Sequence, residues 1–120
     1  MTLGAEDAPI QMTEYASFTC PHCRTFHKDV FQKLKADYID TDKLHFTYRE
    51  IYFDRYGLWG SIVARCGGAD KFFARVNDII HQLFDKIFEV YDLDTPRLAM
   101  ETKSQMYDCL NALNKSASAV

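Results

Sequence analysis

The chain has 120 residues, 48% hydrophobic and 14% aromatic, and carries a formal net charge of −3 at pH 7. That length suits one domain with a single core, and the composition excludes a disordered polymer. The mild, interspersed charge excludes a strongly basic nucleic-acid binder, and no apolar run is long enough to cross a bilayer.

In chain order, Ile10 to Phe18 is mixed apolar and β-prone, which predicts a strand ending near Ser17. It runs straight into Cys20-Pro21-His22-Cys23, where Pro21 suits the first turn of a helix because its missing N–H is not needed there. Cys23, Phe26, His27, Val30, Phe31, Leu34 and Tyr38 then recur at steps of three and four, predicting one buried helix face. A turn at Asp40-Thr41-Asp42 follows. Leu44, Phe46 and Tyr48 alternate with His45, Thr47 and Arg49 at the period of a strand. Strand, helix and strand in this order make a βαβ unit.

The remainder reads as helical. Leu58, Trp59, Ile62, Val63 and Cys66 form an apolar stripe that stops at Gly67-Gly68. Asp70 is placed as the cap of a next helix whose face is Phe72, Phe73, Val76, Ile79, Ile80, Leu83, Phe84 and Ile87. After a break at Asp92-Leu93-Asp94, Thr102 to Gln105 has the form of a capping box, opening a short helix with Met106, Cys109, Leu110 and Leu113. The expected architecture is α/β. Residues 1–53 form the βαβ unit and 54–120 a mainly helical region of the same single domain, with an incomplete sheet.

Four cysteines are present, Cys20 and Cys23 close together and Cys66 and Cys109 far apart. A zinc site needs a second close ligand pair, which these separated cysteines do not supply. No metal and no cofactor is expected. In the redox reading, Cys20 stands at a helix N-terminus, where free N–H groups and the helix dipole favour an anion. His22 beside it adds to that effect. Stabilising the thiolate stabilises the reduced form and makes the disulfide a stronger oxidant. Cys20 is then the attacked, solvent-facing sulfur and Cys23 the shielded resolving partner. Cys66 and Cys109 lie on apolar helix faces, so a structural disulfide between them is expected, with two buried free thiols as the alternative.

The segment from Glu14 to Cys23, Glu-Tyr-Ala-Ser-Phe-Thr-Cys-Pro-His-Cys, resembles the active-site segment of the DsbA family of bacterial periplasmic disulfide oxidases. Phe26 and the strand from Phe46 to Glu50 fit the same pattern, and the resemblance is good from about Gly4 to Ile80. It implies a thioredoxin-like fold that donates its Cys20–Cys23 disulfide to reduced substrate proteins. It also implies a periplasmic setting with the signal peptide outside this chain, and reoxidation by a DsbB-type membrane partner. By the same resemblance Glu14 matches a carboxylate held beneath the redox pair that helps move protons, the alternative being an exposed edge-strand glutamate. His27 reads as a partly buried helix histidine without a catalytic role.

Two further functions stay open: a disulfide isomerase or reductase with the same centre, and a non-catalytic binding module that retains the motif. The family's cis-proline strand has no clear counterpart. Thr95-Pro96 superficially resembles it, but the helix-prone run Arg97 to Glu101 places Pro96 at a helix start capped by Thr95. The chain is therefore expected to form an incomplete oxidase with an open sheet edge, prone to self-association.

Overall fold

A computed structural model describes residues 1–89 and 103–112, with the backbone alone for 81–89. Three strands form one sheet: β1 (Thr2–Leu3), β2 (Ile10–Ala16) and β3 (Leu44–Glu50). Their order is β1-β3-β2, so β3 is central. β2 runs parallel to β3, from Ile10 opposite Leu44 to Ala16 opposite Glu50. β1 is antiparallel, pairing Thr2 with Thr47 and Leu3 with Phe46. The expected two-stranded unit is thus a three-stranded sheet, because the first residues cover the far edge of β3. A strand of two residues has no periodicity to announce it. Gly4 lets the chain leave β1, at φ +85° and so near the carbonyl of Leu44 that a Cβ would collide with it. Among the described residues, the other edge of β2 has no strand beside it.

β2 ends at Ala16, one residue before the expected Ser17, and Ser17 and Phe18 continue as buried loop. Helix α1 then spans residues 21–39 as alternating α and π turns: Pro21–Phe26 is α, His27–Phe31 π, Gln32–Leu34 α and Lys35–Ile39 π. This corrects the expected buried face. A π turn holds more residues than an α turn, so the core-facing positions run Cys23, His27, Phe31, Leu34 and Ile39, stepping by four or five across the π turns and by three across the α turn between them. Val30 and Tyr38, placed on that face by a 3.6-residue period, are 47% and 45% exposed.

Helix α2 (Arg55–Arg65) also departs from expectation. Its buried face is Gly57, Gly60, Ser61 and Ala64, while Leu58 is exposed and Trp59, Ile62, Val63 and Cys66 are half-buried. Small residues win this face because the helix packs closely on the loop after β2: a Cβ on Gly60 would lie 3.2 Å from Phe18. In helix α3 (Ala69–Glu89) Phe72, Val76 and Ile80 are buried, with Phe73 and Ile79 packed beside them. Asp70 lies in its first turn rather than capping it. Residues 103–112 form helix α4, with Met106 and Cys109 buried and Leu110 exposed. The readings at Thr95-Pro96, Asp92 to Asp94, Thr102 and Leu113, and the side chains of Leu83, Phe84 and Ile87, lie outside the described residues.

The core fills the space between the sheet and the helices with Phe18, Phe31, Phe46, Tyr48 and Phe72. Tyr48 joins its parts, its ring lying 6.3 Å from Phe18, 5.8 Å from His27 and 5.7 Å from Phe72. At the end of β3, the Glu50 carboxylate is 4% exposed and accepts from Arg65 Nε at 2.7 Å and from its terminal nitrogen at 2.6 Å. Ser61 Oγ donates to the same group at 3.1 Å. Burial alone would raise the Glu50 carboxyl, but these bonds to Arg65 and Ser61 outweigh it and hold the group below its ordinary value. A depressed carboxyl stabilises the fold above its unfolded value, and that stability is lost as pH falls through the lower folded value. Arg65→Met removes the guanidinium that lies over the Phe72 ring and leaves Glu50 without its charged partner, with Ser61 alone donating to it. Because Arg65 is half exposed, the expected loss in urea melts is about 1–2 kcal/mol at neutral pH, shrinking in acid as Glu50 protonates.

Candidate active site

The sheet and α1 bring the two cysteines of the motif to one end of β2. Cys20 is the N-cap of α1, with φ −92° and ψ 118°, and its sulfur accepts the backbone N–H of Cys23 at 3.4 Å. Pro21 occupies the first turn. Both cysteines are free thiols and half-buried, and Cys23 packs against the core. A sulfur capping a helix start stands where an N-terminal N–H and the dipole favour its thiolate. Cys23 is the opposite case. Burial, followed by its contact with Cys20, pushes its thiol up to about 12, with the charges of Cys20 and Glu14 acting the same way and a backbone contact from Ser17 opposing. His22 is exposed at the rim, beside Pro21.

The loop before Cys20 is pinned to the start of α2. Thr19 Oγ1 donates to Asp54 Oδ2 at 2.6 Å, and Asp54 Oδ1 caps α2 by accepting from the N–H of Gly57 at 2.8 Å. The Ser17 and Thr19 hydroxyls lie 3.1 Å apart, and the N–H of Cys20 donates to the Ser17 carbonyl at 3.1 Å. Gly57 permits this approach, since a Cβ there would stand 2.9 Å from Ser17 Oγ. Sequence reading missed this anchor. Its signal is an Asp three residues before a helix glycine, the N-cap pattern.

Glu14 lies on the edge strand β2, but its side chain is not exposed. It alternates inward with Met12 and Ala16 on β2, is 11% exposed, and its Oε2 stands 3.0 Å from His27 Nε2. His27, read from sequence as partly buried, is 1% exposed. The two are thirteen residues apart, so only the parallel crossover of the βαβ unit reveals that they meet. Cys66 and Cys109 stand apart from this centre. They are joined by a disulfide with Cα atoms 5.7 Å apart, which fastens α4 to the C-cap of α2. Among the described residues, no group of three or more His, Cys, Asp or Glu is placed to hold a metal ion.

Comparison with known proteins agrees with this geometry. The family described as Thioredoxin matches residues 1–120. A Rickettsia bellii protein whose provisional name is protein-disulfide oxidoreductase is 43% identical over 86 residues, which is 72% of this chain and 33% of that protein. The chain thus spans about a third of the length of that relative. The crystal structure of Wolbachia pipientis alpha-DsbA1 superposes with a TM-score of 0.63 at 28% identity, covering 98% of this chain and 67% of that one. A protein-disulfide isomerase from Novosphingobium aromaticivorans shares the fold, with a TM-score of 0.72 at 19% identity over 99% of this chain and 65% of that one. With the full-length family match, the βαβ unit and the half-buried Cys-Pro-His-Cys pair at a helix start, this chain belongs to the thioredoxin family, in its DsbA-type branch.

Proposed function

We propose that the chain is a thiol:disulfide oxidoreductase that donates the Cys20–Cys23 disulfide to reduced substrate proteins. The observation that carries this reading is the asymmetry of the pair: Cys20 caps a helix while burial holds Cys23 as a thiol. A substrate thiolate attacks Cys20 Sγ, the Cys20–Cys23 bond breaks, and Cys23 leaves with the electron pair. The second substrate thiolate then attacks the substrate sulfur of the mixed disulfide, and Cys20 leaves as thiolate. The substrate loses two electrons and the pair gains them. Pro21 and His22 shape the turn between the sulfurs, and Glu14 exchanges the proton that Cys23 needs.

In this proposal residues 1–120 act as one domain, with the redox unit over 1–53 and the helical region over 54–120. The setting is the periplasm, and a DsbB-type membrane protein restores the disulfide. The family resemblance supports both points, and no helix among the described residues is long and apolar enough to cross a membrane. Isomerase or reductase activity is the second reading, since the same sulfur chemistry runs in either direction. Oxidation of a reduced dithiol peptide beside an insulin-reduction assay separates the readings. The proposal expects peptide oxidation to dominate and to vanish in Cys20→Ser. Activity in neither assay would mark a binding module.

A further inference from the structure

The loop that carries Cys20 is held from the start of α2, and both sulfurs of the pair depend on its pose. Asp54 uses its two carboxylate oxygens on different segments. Oδ1 accepts the N–H of Gly57 at 2.8 Å and caps α2, while Oδ2 accepts the Thr19 hydroxyl at 2.6 Å. With its proton given to Asp54, Thr19 Oγ1 accepts from Ser17 Oγ at 3.1 Å. The N–H of Thr19 donates to the same Ser17 oxygen at 3.3 Å. Ser17 is 1% exposed, so the inner end of this chain of hydroxyls is shut off from water.

The same loop reaches both cysteines. The N–H of Cys20 donates to the Ser17 carbonyl at 3.1 Å, and the Cys20 carbonyl accepts from the N–H of Arg24 at 3.1 Å, opening α1. The Ser17 backbone also meets the Cys23 sulfur, where it favours the thiolate. Cys20 Sγ accepts the N–H of Cys23 at 3.4 Å only while the loop keeps this pose. Helix α2 is itself braced. Gly60 lies against Phe18, Arg65 is tied to Glu50 by two bonds, and Cys66 is bridged to Cys109. Asp54 therefore joins a fixed helix to the loop of the redox pair.

We propose that Asp54 and Thr19 are a positioning pair for the redox centre, holding the loop from Ser17 to Cys20 in the pose that stabilises the dithiol and so makes the disulfide a stronger oxidant. The proposal rests on the exchange reading above. Both cysteines are free thiols in this structure, so the network belongs to the reduced state. In equilibrium with glutathione, the Cys20–Cys23 bond breaks and two glutathione thiols join as a disulfide. Two electrons pass to the pair, and the two protons go to the protein thiols or to solvent. Contacts that hold the dithiol more firmly than the disulfide draw this equilibrium forward. A sulfur fixed as a helix cap is such a contact, because it accepts an N–H best when it carries negative charge. A merely structural contact would stabilise both redox states alike and leave the equilibrium unmoved.

The test is equilibration of wild type, Thr19→Val, Thr19→Ser and Asp54→Ser with glutathione buffers, beside urea melts of each protein in both redox states. Thr19→Val keeps the side-chain shape and removes the hydroxyl. Its equilibrium constant for reduction by glutathione should fall about 10-fold, which is about 30 mV for a two-electron couple. Thr19→Ser keeps the hydroxyl and should stay within about twofold of wild type. Asp54→Ser still caps α2, with a shorter side chain, and should shift the same way as Thr19→Val. Loss of a negative charge alone would favour a thiolate and shift the opposite way. An unchanged constant in Thr19→Val, with both redox states losing stability equally, would overturn the proposal. So would a shift of Asp54→Ser toward the dithiol. If Thr19→Val fails to fold by circular dichroism, Thr19→Ala takes its place under the same criteria. A wild type that never equilibrates with glutathione would overturn the oxidoreductase reading and the positioning pair together.

Discussion

Replacing Cys20 with serine should reduce peptide oxidation to the uncatalysed background, the largest effect expected anywhere in the chain. Without Cys20 the Cys20–Cys23 disulfide cannot form, so the site has no acceptor for the two electrons of the substrate thiols. Cys23 alone is a poor substitute, because burial pushes its thiol up to about 12 and leaves almost no thiolate at neutral pH. Cys23→Ser should behave differently. Cys20 still caps α1 and still reacts with a small disulfide, but the mixed disulfide accumulates because nothing resolves it. Mass spectrometry of the two variants after treatment with oxidised glutathione distinguishes them: an adduct on Cys23→Ser and little on Cys20→Ser. Equal labelling of both would show that the helix start does not differentiate the sulfurs.

The second large effect concerns stability. The Cys66–Cys109 bridge closes a loop with a sequence separation of 43 residues. In the chain-entropy model, removing a crosslink of that span costs about 4 kcal/mol, a large fraction of the stability of a small domain. The Cys66→Ala/Cys109→Ala variant should lose that amount in urea melts. Its reaction with small disulfides should persist, since Cys20 and its cap lie on α1 and not on the bridged helices. A loss below 1 kcal/mol, or recovery of both peptides singly alkylated from unreduced wild type, would contradict the account.

The βαβ unit was legible in the sequence because its signals are local. Leu44, Phe46 and Tyr48 alternate cleanly, and Pro21 after Cys20 marks a helix start. Three features were not legible, each for a physical reason. The π turns of α1 shift the buried face from Val30 and Tyr38 to Ile39, and a 3.6-residue template has no means of seeing them. The buried side of α2 is its small residues, because Gly60 must admit Phe18, and a search for bulky apolar positions picks the flanks instead. The meeting of Glu14 and His27 is a tertiary fact, set by how β2 and α1 cross, and no spacing rule contains it.

At the site, the sequence pointed to residue types at the right places but not to how they are held. Cys20 as N-cap was legible from the strand-to-helix junction. The anchor through Thr19, Asp54 and Gly57 was not, because it links two segments separated by 35 residues. That anchor matters to the chemistry, since it fixes the loop from which Cys20 presents its sulfur.

The central claim is that Cys20 and Cys23 form an oxidising redox couple, and its most direct test is the reduction potential measured by equilibration with glutathione buffers. The account predicts a couple more oxidising than about −200 mV, because the helix start stabilises the reduced state through the Cys20 thiolate. A potential near the roughly −270 mV of a thioredoxin-type reductant, or a pair that never equilibrates with glutathione, would contradict it.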